Sequence, residues 1–347
     1  MSHSHPGAVF VQTNEAESNS VVAFRRDPDG TLSRLGSHPT GGAGTGTPHL
    51  PSQGSVVLAA GGSRLLVANA GSDDISVFGV SPEGLELLAR APSQGRSPRS
   101  IAVHEGLVYV LNAGADAPGS VAGFRLADDG APEPIAGSTR PLSADEADGA
   151  QVAFDPSGRT LVVTERVTDR LSTYAVREDG TLDGPRAQPS SGATPYGFDF
   201  TPDGIAVVTE AFGGAVGAAA ASSYVVDAEG ARPVSASVGS SRSEVCWAVV
   251  TDDGRHAFVT NFGDGTISSY ALSTDGSIEL LEPVAATTRL GEKGLRDAAL
   301  SGDGAFLYAL DADSQEVYGW LVGEGGRLAP VGAIDGLPAT VAGIAAL

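Results

Sequence analysis

Seven polar residues recur at one position of an internal repeat: Asn14, Asn69, Asn112, Glu165, Glu210, Asn261 and Asp311. Each follows a short apolar run. Asn and Asp in such a place commonly tie down their own turn with a side-chain hydrogen bond. Glu does not make that short bond, which leaves Glu165 and Glu210 as carboxylates for acid/base work. Two adjacent positions open other apolar runs. One holds Ser55, Gln151, Gly197, Trp247 and Asp297; the one before it holds Gly54, Ala150, Tyr196, Cys246 and Arg296, and Arg99-Ser100 joins them. A carboxylate among aromatics has its pKa raised toward the range useful for proton transfer. An Arg holds a carboxylate or a developing oxyanion. The set Glu210, Glu165, Arg296, Asp297, Gln151, Tyr196, Trp247 and Arg99 can therefore act on a small molecule, provided the fold gathers it. His49 is a further candidate, in the long connection of residues 36–54.

The elements that must gather these residues are short strands. Residues 151–180 show the unit: an apolar run, a Pro-Ser-Gly turn, a second run (160–164), a polar turn, a third run ending near Tyr174, then Asp-Gly. Alternating or β-branched runs between Gly, Pro, Asp and Ser clusters read as antiparallel strands. The marker is an aromatic followed five residues later by an acid and Gly: Phe24, Phe78, Phe124, Tyr174, Tyr224 and Tyr270, with a degraded copy at Trp320. Successive aromatics are 54, 46, 50, 50, 46 and 50 residues apart. Four strands repeating at this period predict an all-β protein, a seven-bladed β-propeller with four-stranded blades. The first unit lacks its inner strand, and residues 341–347 have the composition to supply it. A C-terminal strand completing the first blade closes the ring and removes the exposed sheet edge. Residues 1–7 are expected to be a disordered tail, and 8–347 one domain.

Composition narrows the function. A net charge of −21 argues against nucleic acid or anionic membrane as a partner, since both require clustered cations. The positive charge is almost all Arg, with Lys293 alone of its kind. The single Cys246 forms no intrachain disulfide. The first residues have neither a basic start nor a long apolar run, and nothing in the chain is apolar for long enough to span a bilayer. The expectation is a cytoplasmic protein. No His/Cys/Asp cluster has ligand spacing, so neither a metal nor a cofactor is expected. The Gly-rich part of residues 36–54 lacks the following helix and the Lys-Ser/Thr pair of a phosphate loop, and reads as a flexible rim loop. Residues 137–149 read as a second, solvated acidic rim loop.

The repeated forms GSRLLVANAGSDDISVFGVSPEG, PSGRTLVVTERVTDRLSTYAVREDGTL and DGRHAFVTNFGDGTISSYALSTDGSI resemble the lactonase family of seven-bladed propellers, which includes 6-phosphogluconolactonase and carboxymuconate-cyclising members. The resemblance spans essentially the whole chain. It implies site positions that this chain keeps at Glu210 and Arg296. The family His opening the fourth inner strand falls on Ala150, and its Arg-His pair opening the fifth falls on Tyr196-Gly197. Its Glu opening the sixth falls on Trp247, and a later Arg of that blade falls on Phe262. Loss of the His and of Arg residues argues against a phosphosugar lactone, which needs several cations. Tyr196, Trp247 and Phe262 suit a flatter, more apolar ligand.

Two functions follow. One is a divergent lactonase-like enzyme that hydrolyses, isomerises or cyclises a small lactone-like or aromatic ring at the channel mouth. Glu210 would be its acid/base, Arg296 would hold the anion, and Glu165 and His49 would assist. The alternative is a propeller that binds a small molecule or protein without chemistry. Oligomeric state is not legible in the sequence.

Overall fold

The computed structural model describes residues 7–48 and 50–347. The proposed catalytic His49 and most of the expected N-terminal tail lie outside them. Seven antiparallel sheets stand around one axis. In the fifth blade the inner strand Pro195–Phe200 descends and Ile205–Glu210 returns, followed by Ala220–Asp227 and the outer strand Gly230–Gly239. The other blades repeat this order. In the third, the outer strand is split into Pro132–Pro134 and Arg140–Pro141, both on Ser120–Leu126.

Ring closure is as expected. Ala342–Ala346 pairs antiparallel with Ala8–Gln12, Phe10 facing Ala345 and Val11 facing Ile344. Val9, Val11, Ile344 and Ala346 then pack on Phe306, Tyr308 and Leu310 of the seventh blade. The six repeat aromatics and Trp320 are all buried, at 3 % exposure or less. They fill the space between neighbouring sheets. The Asp-Gly turns that follow them are part of the same packing. Gly30 has φ +86°, and a Cβ on it would stand 2.2 Å from Phe306 of the adjacent blade. Its carbonyl accepts the Tyr308 hydroxyl at 2.7 Å.

Polar side chains of the inner strands clasp the next blade. Ser100 Oγ accepts from Val152 N at 3.1 Å, and on the second strands of the first two blades Gln12 donates to Ala68 O at 2.6 Å. Gln151 both donates to Phe198 O (2.8 Å) and accepts from Phe198 N (2.6 Å). Asp199 accepts from Val250 N at 2.8 Å, and Asp297 accepts from Ile344 N at 3.2 Å. The bonds to Val152, Phe198, Val250 and Ile344 meet backbone groups of inner strands, which have no strand neighbour on the channel side.

Residues 36–54 are not a free rim loop. The outer strand of the first blade, Leu32–Pro39, takes up the start of the segment. Its end, residues 50–54, crosses the axis of the ring. Leu50 packs with Ala70 and Ala342. Ser52 O accepts the Trp247 indole N–H at 2.7 Å. The Gln53 carboxamide reaches the sixth blade, donating to Ala248 O at 2.7 Å and accepting from Ala248 N at 3.2 Å. Ser100 holds Gln53 O at 2.6 Å. This strap divides the axial space in two.

Because the closing strand packs apolar side chains into the first and seventh blades, Ile344→Ala should cost about 2–4 kcal/mol. Urea denaturation monitored by fluorescence would show the lowered midpoint. An unchanged midpoint would contradict the ring closure.

Candidate active site

The carboxylates Glu165 and Glu210 lie inside their blades. Glu210 is fully buried and accepts from Gly192 N (2.8 Å), Ser222 Oγ (2.5 Å) and Ser237 Oγ (2.6 Å). Glu165 accepts from Ser143 N (2.9 Å), Ser143 Oγ, Thr168 Oγ1 (2.7 Å) and Ser172 Oγ (2.7 Å). Their neighbours in the ring do the same job with shorter side chains. Asn69 accepts from Thr40 Oγ1 and donates to Asp74 and Ser76, while Asp311 accepts from Thr288 Oγ1. In each case the group ties the end of the second strand to the connection arriving from the previous blade. The acid/base role read from Glu210 and Glu165 thus loses its geometric ground: serine and threonine partners, invisible at fixed spacing, saturate both carboxylates.

Gln151 and Asp297 also leave the predicted mouth. They line the channel below the strap, where they serve as the clasps described above. Burial pushes the Asp297 carboxyl up to about 8, and Asp199 to about 6, against the backbone N–H bonds that pull both down.

The remaining candidates converge. Above the strap, on the side of the fourth to seventh blades, is a cavity of ≈ 670 Å³. Tyr196, Phe262 and Arg296 line it together with Cys246, which shares the repeat position of Tyr196 and Arg296, and with Arg166 and Glu244, which sequence reasoning did not single out. Trp247 lies next to this wall, 1 % exposed, with its ring 5.5 Å from that of Tyr196. Arg99 stands behind it. It donates to Asp148 Oδ1 at 2.7 Å, and Asp148 also pairs with Arg166, so part of the supposedly solvated acidic loop is a bridge between two arginines. Arg166 in turn donates to the Tyr196 hydroxyl at 3.2 Å and lies 5.0 Å over its ring.

Arg296 is held differently. Its guanidinium lies 4.3 Å over the Phe262 ring, which fixes its plane without using a donor. The side chain is 10 % exposed, and its one ion pair, to Asp313, is long at 3.7 Å. Nε has no hydrogen-bond partner. Glu244 is the single carboxylate among the described lining residues, and Lys293 pairs with it at the cavity edge. Burial pushes the Cys246 thiol up to about 12, so it is a neutral wall group at physiological pH. Burial likewise raises the Tyr196 phenol and holds Arg99 below its ordinary value. The weak sequence signals for the missed residues were the lone lysine and the position of Glu244 just before an inner strand.

Strap and cavity depend on Gly197. A Cβ there would stand 2.4 Å from Gln53 Oε1 and 2.8 Å from Trp247 Cα. The place where the resemblance puts a His is thus occupied by the strap. Among the described residues no group of three His, Cys, Asp or Glu is arranged to hold a metal ion, and no helix is long and apolar enough to cross a membrane.

Two measurements check these assignments. Glu210→Gln replaces an acceptor oxygen by a donor facing hydroxyls and N–H groups, so it should cost about 1–3 kcal/mol of stability; a Tm equal to that of the unsubstituted protein would show the carboxylate to be unconstrained. For Asp297, a folded-state pKa about 8 against an ordinary value about 4 means that the folded form keeps a proton the unfolded chain has lost. Its contribution therefore makes stability fall as pH rises from 4 to 8. Asp297→Asn should flatten that fall, whatever it does to the absolute Tm, and an unaltered slope would contradict the burial.

The family model described as Lactonase, 7-bladed β-propeller matches residues 3–130 and 121–211. No curated protein matches the sequence. Among solved structures, the periplasmic gluconolactonase PpgL of Pseudomonas aeruginosa is similar at TM-score 0.74 and 18% identity, over 97% of this chain and 98% of that one. A Bacteroides fragilis protein provisionally assigned as a 6-phosphogluconolactonase matches at TM-score 0.74 and 16% identity, over 100% and 99%. A protein from Lactobacillus plantarum matches at TM-score 0.74 and 18% identity, over 99% of each chain. With its matched residues covering more than half of the sequence, the chain belongs to the lactonase family of seven-bladed β-propellers.

Proposed function

We propose that the protein opens a small lactone-like ring in the upper cavity without a metal, and that the ring carries a flat, apolar body. The observation that supports this most is Arg296: a buried guanidinium, oriented by Phe262, with donor capacity unspent on the wall of a cavity that also holds a carboxylate. A guanidinium so placed stabilises the oxyanion that forms when water adds to an ester carbonyl. Glu244 replaces Glu210 as the base. It takes the proton of the attacking water as the new C–O bond forms. The ring C–O bond then breaks, and the departing alkoxide recovers that proton to give a hydroxy acid. Tyr196, Cys246, Phe262 and Ala211 supply apolar walls, in keeping with a ring lacking the many hydroxyls of a sugar. Gluconolactonase and 6-phosphogluconolactonase names among the structural relatives agree with lactone opening as the reaction class.

The pairing of Glu244 with Lys293 favours a second reading, in which the cavity binds a carboxylate ligand without turning it over. A panel of γ- and δ-lactones with and without ring carboxylates, followed by proton release, separates the two. For a lactone that is turned over, Arg296→Gln should lower kcat/KM about 10²–10³-fold with little change in Tm. Glu244→Gln should lower kcat more than it raises KM. Binding in calorimetry with no proton release from any lactone would remove the enzyme reading and leave the binding one.

A further inference from the structure

Two guanidiniums line the upper cavity, Arg166 and Arg296, and they are not equally available. Both charges reach the Tyr196 phenol and the Cys246 thiol, so they stand over one wall. Arg296 has only the long pair to Asp313. Arg166 is already met by a carboxylate of the chain itself. Asp148 accepts from Arg166 Nη2 with one oxygen and from Arg99 Nη1, at 2.7 Å, with the other. One carboxylate thus joins the third inner strand, Pro98–His104, to the residue that follows the second strand of the fourth blade, Thr160–Glu165.

This is not an ordinary surface ion pair. The Arg99 and Arg166 side chains are 13 % and 20 % exposed, so water and salt screen the bridge little. Burial, foremost, and the charge of Arg166 hold Arg99 below its ordinary value, against the pull of Asp148. Nε of each guanidinium is buried with no hydrogen-bond partner, so two cations share one anion and keep donors to spare. A carboxylate between two guanidiniums is how proteins hold the carboxylate or phosphate of a ligand. Here the fold supplies the anion. Asp148 stands just before the fourth inner strand, Gly149–Phe154, at φ +52°, a region that favours Gly. Its carbonyl also accepts Arg166 N at 3.2 Å, so one residue holds Arg166 at both its backbone and its guanidinium.

We propose that Asp148 sets the charge specificity of the upper cavity. It occupies the place of a ligand's second anionic group. The cavity therefore takes a molecule that carries or develops negative charge at Arg296 and is uncharged where it meets Arg166. On the reading of Arg296 as the anion-holding group, on which this rests, the ring that is opened is an uncharged lactone, and a ligand bound without turnover is a monocarboxylate. A dianion would bring its second carboxylate against Asp148 as well as Arg166.

Calorimetry with benzoate and isophthalate, flat acids with one and two carboxylates, tests this without requiring turnover. The unsubstituted protein should bind benzoate about tenfold more tightly than isophthalate. Asp148→Gly suits the positive φ and keeps the carbonyl bond to Arg166 N. It should reverse the order, tightening isophthalate by about a hundredfold while benzoate changes less than about threefold. Sodium formate, compared with chloride at equal ionic strength, should raise the Tm of Asp148→Gly saturably and abolish the gain in isophthalate affinity, with neither effect on the unsubstituted protein. Should the glycine variant fail to fold, Asp148→Asn keeps the shape and should shift the preference the same way by a smaller factor. Arg296→Gln should abolish benzoate binding. A bridge that only stabilises the fold would lower Tm and leave the order of the two acids unchanged, and that result would overturn the proposal. So would benzoate binding that survives Arg296→Gln, or no benzoate binding at all. Reversal of the order with no lactone turned over would remove the enzyme reading and leave the role of Asp148 standing.

Discussion

The Gln53 carboxamide spans the axis of the ring, exchanging two hydrogen bonds with Ala248, while Ser52 caps the indole of Trp247 beneath it. Everything distinctive about the two compartments depends on that crossing. A carboxamide can satisfy both an N–H and a C=O on one strand, so it costs no unpaired polar group where water is largely excluded. With the axis blocked, the upper cavity is pushed toward the fourth to seventh blades. Its walls become Tyr196, Cys246, Phe262 and Arg296.

The crossing also separates charge. Above it stand Arg99, Arg166, Arg296 and the one lysine, partly balanced by Asp148 and Glu244. The channel below it is lined by Asp155, Asp199 and Asp297 and by no Lys or Arg. In a chain of −21 net charge, this puts scarce cations where an anion or oxyanion must be held. The buried guanidinium on Phe262 does not need to outcompete a tight ion pair before it can bind. The interblade clasps make the frame stiff enough to hold these groups in place, because each joins inner strands that otherwise have a free edge.

The blades, their number and the closing strand were legible because they repeat: an aromatic and an acid-Gly turn mark each unit, and only one unit lacked a strand. The cavity wall was partly legible. Tyr196, Phe262 and Arg296 fall where ring geometry and the family resemblance put them. Glu165 and Glu210 were misread because the partners of a buried carboxylate, here Ser143, Ser172, Gly192, Ser222 and Ser237, lie at separations set by the fold and carry no motif. Gln151 and Asp297 were placed at the right ends of the right strands. One residue's difference in level puts a side chain in the channel instead of at its mouth. The strap was hidden because glycines, prolines and serines read as a mobile loop, and nothing local announces that Gln53 finds its partner 195 residues away.

The most direct test of the crossing is the solvent exchange of the Trp247 indole proton. There are two tryptophans, and Trp320→Phe assigns the signal. Held by Ser52 O at 2.7 Å and 1 % exposed, this proton should exchange only on the scale of global unfolding, and Gln53→Ala should speed it by orders of magnitude while the blades stay folded. Exchange as fast as that of an exposed indole in the unsubstituted protein would show that the axis is open and that the two compartments are one.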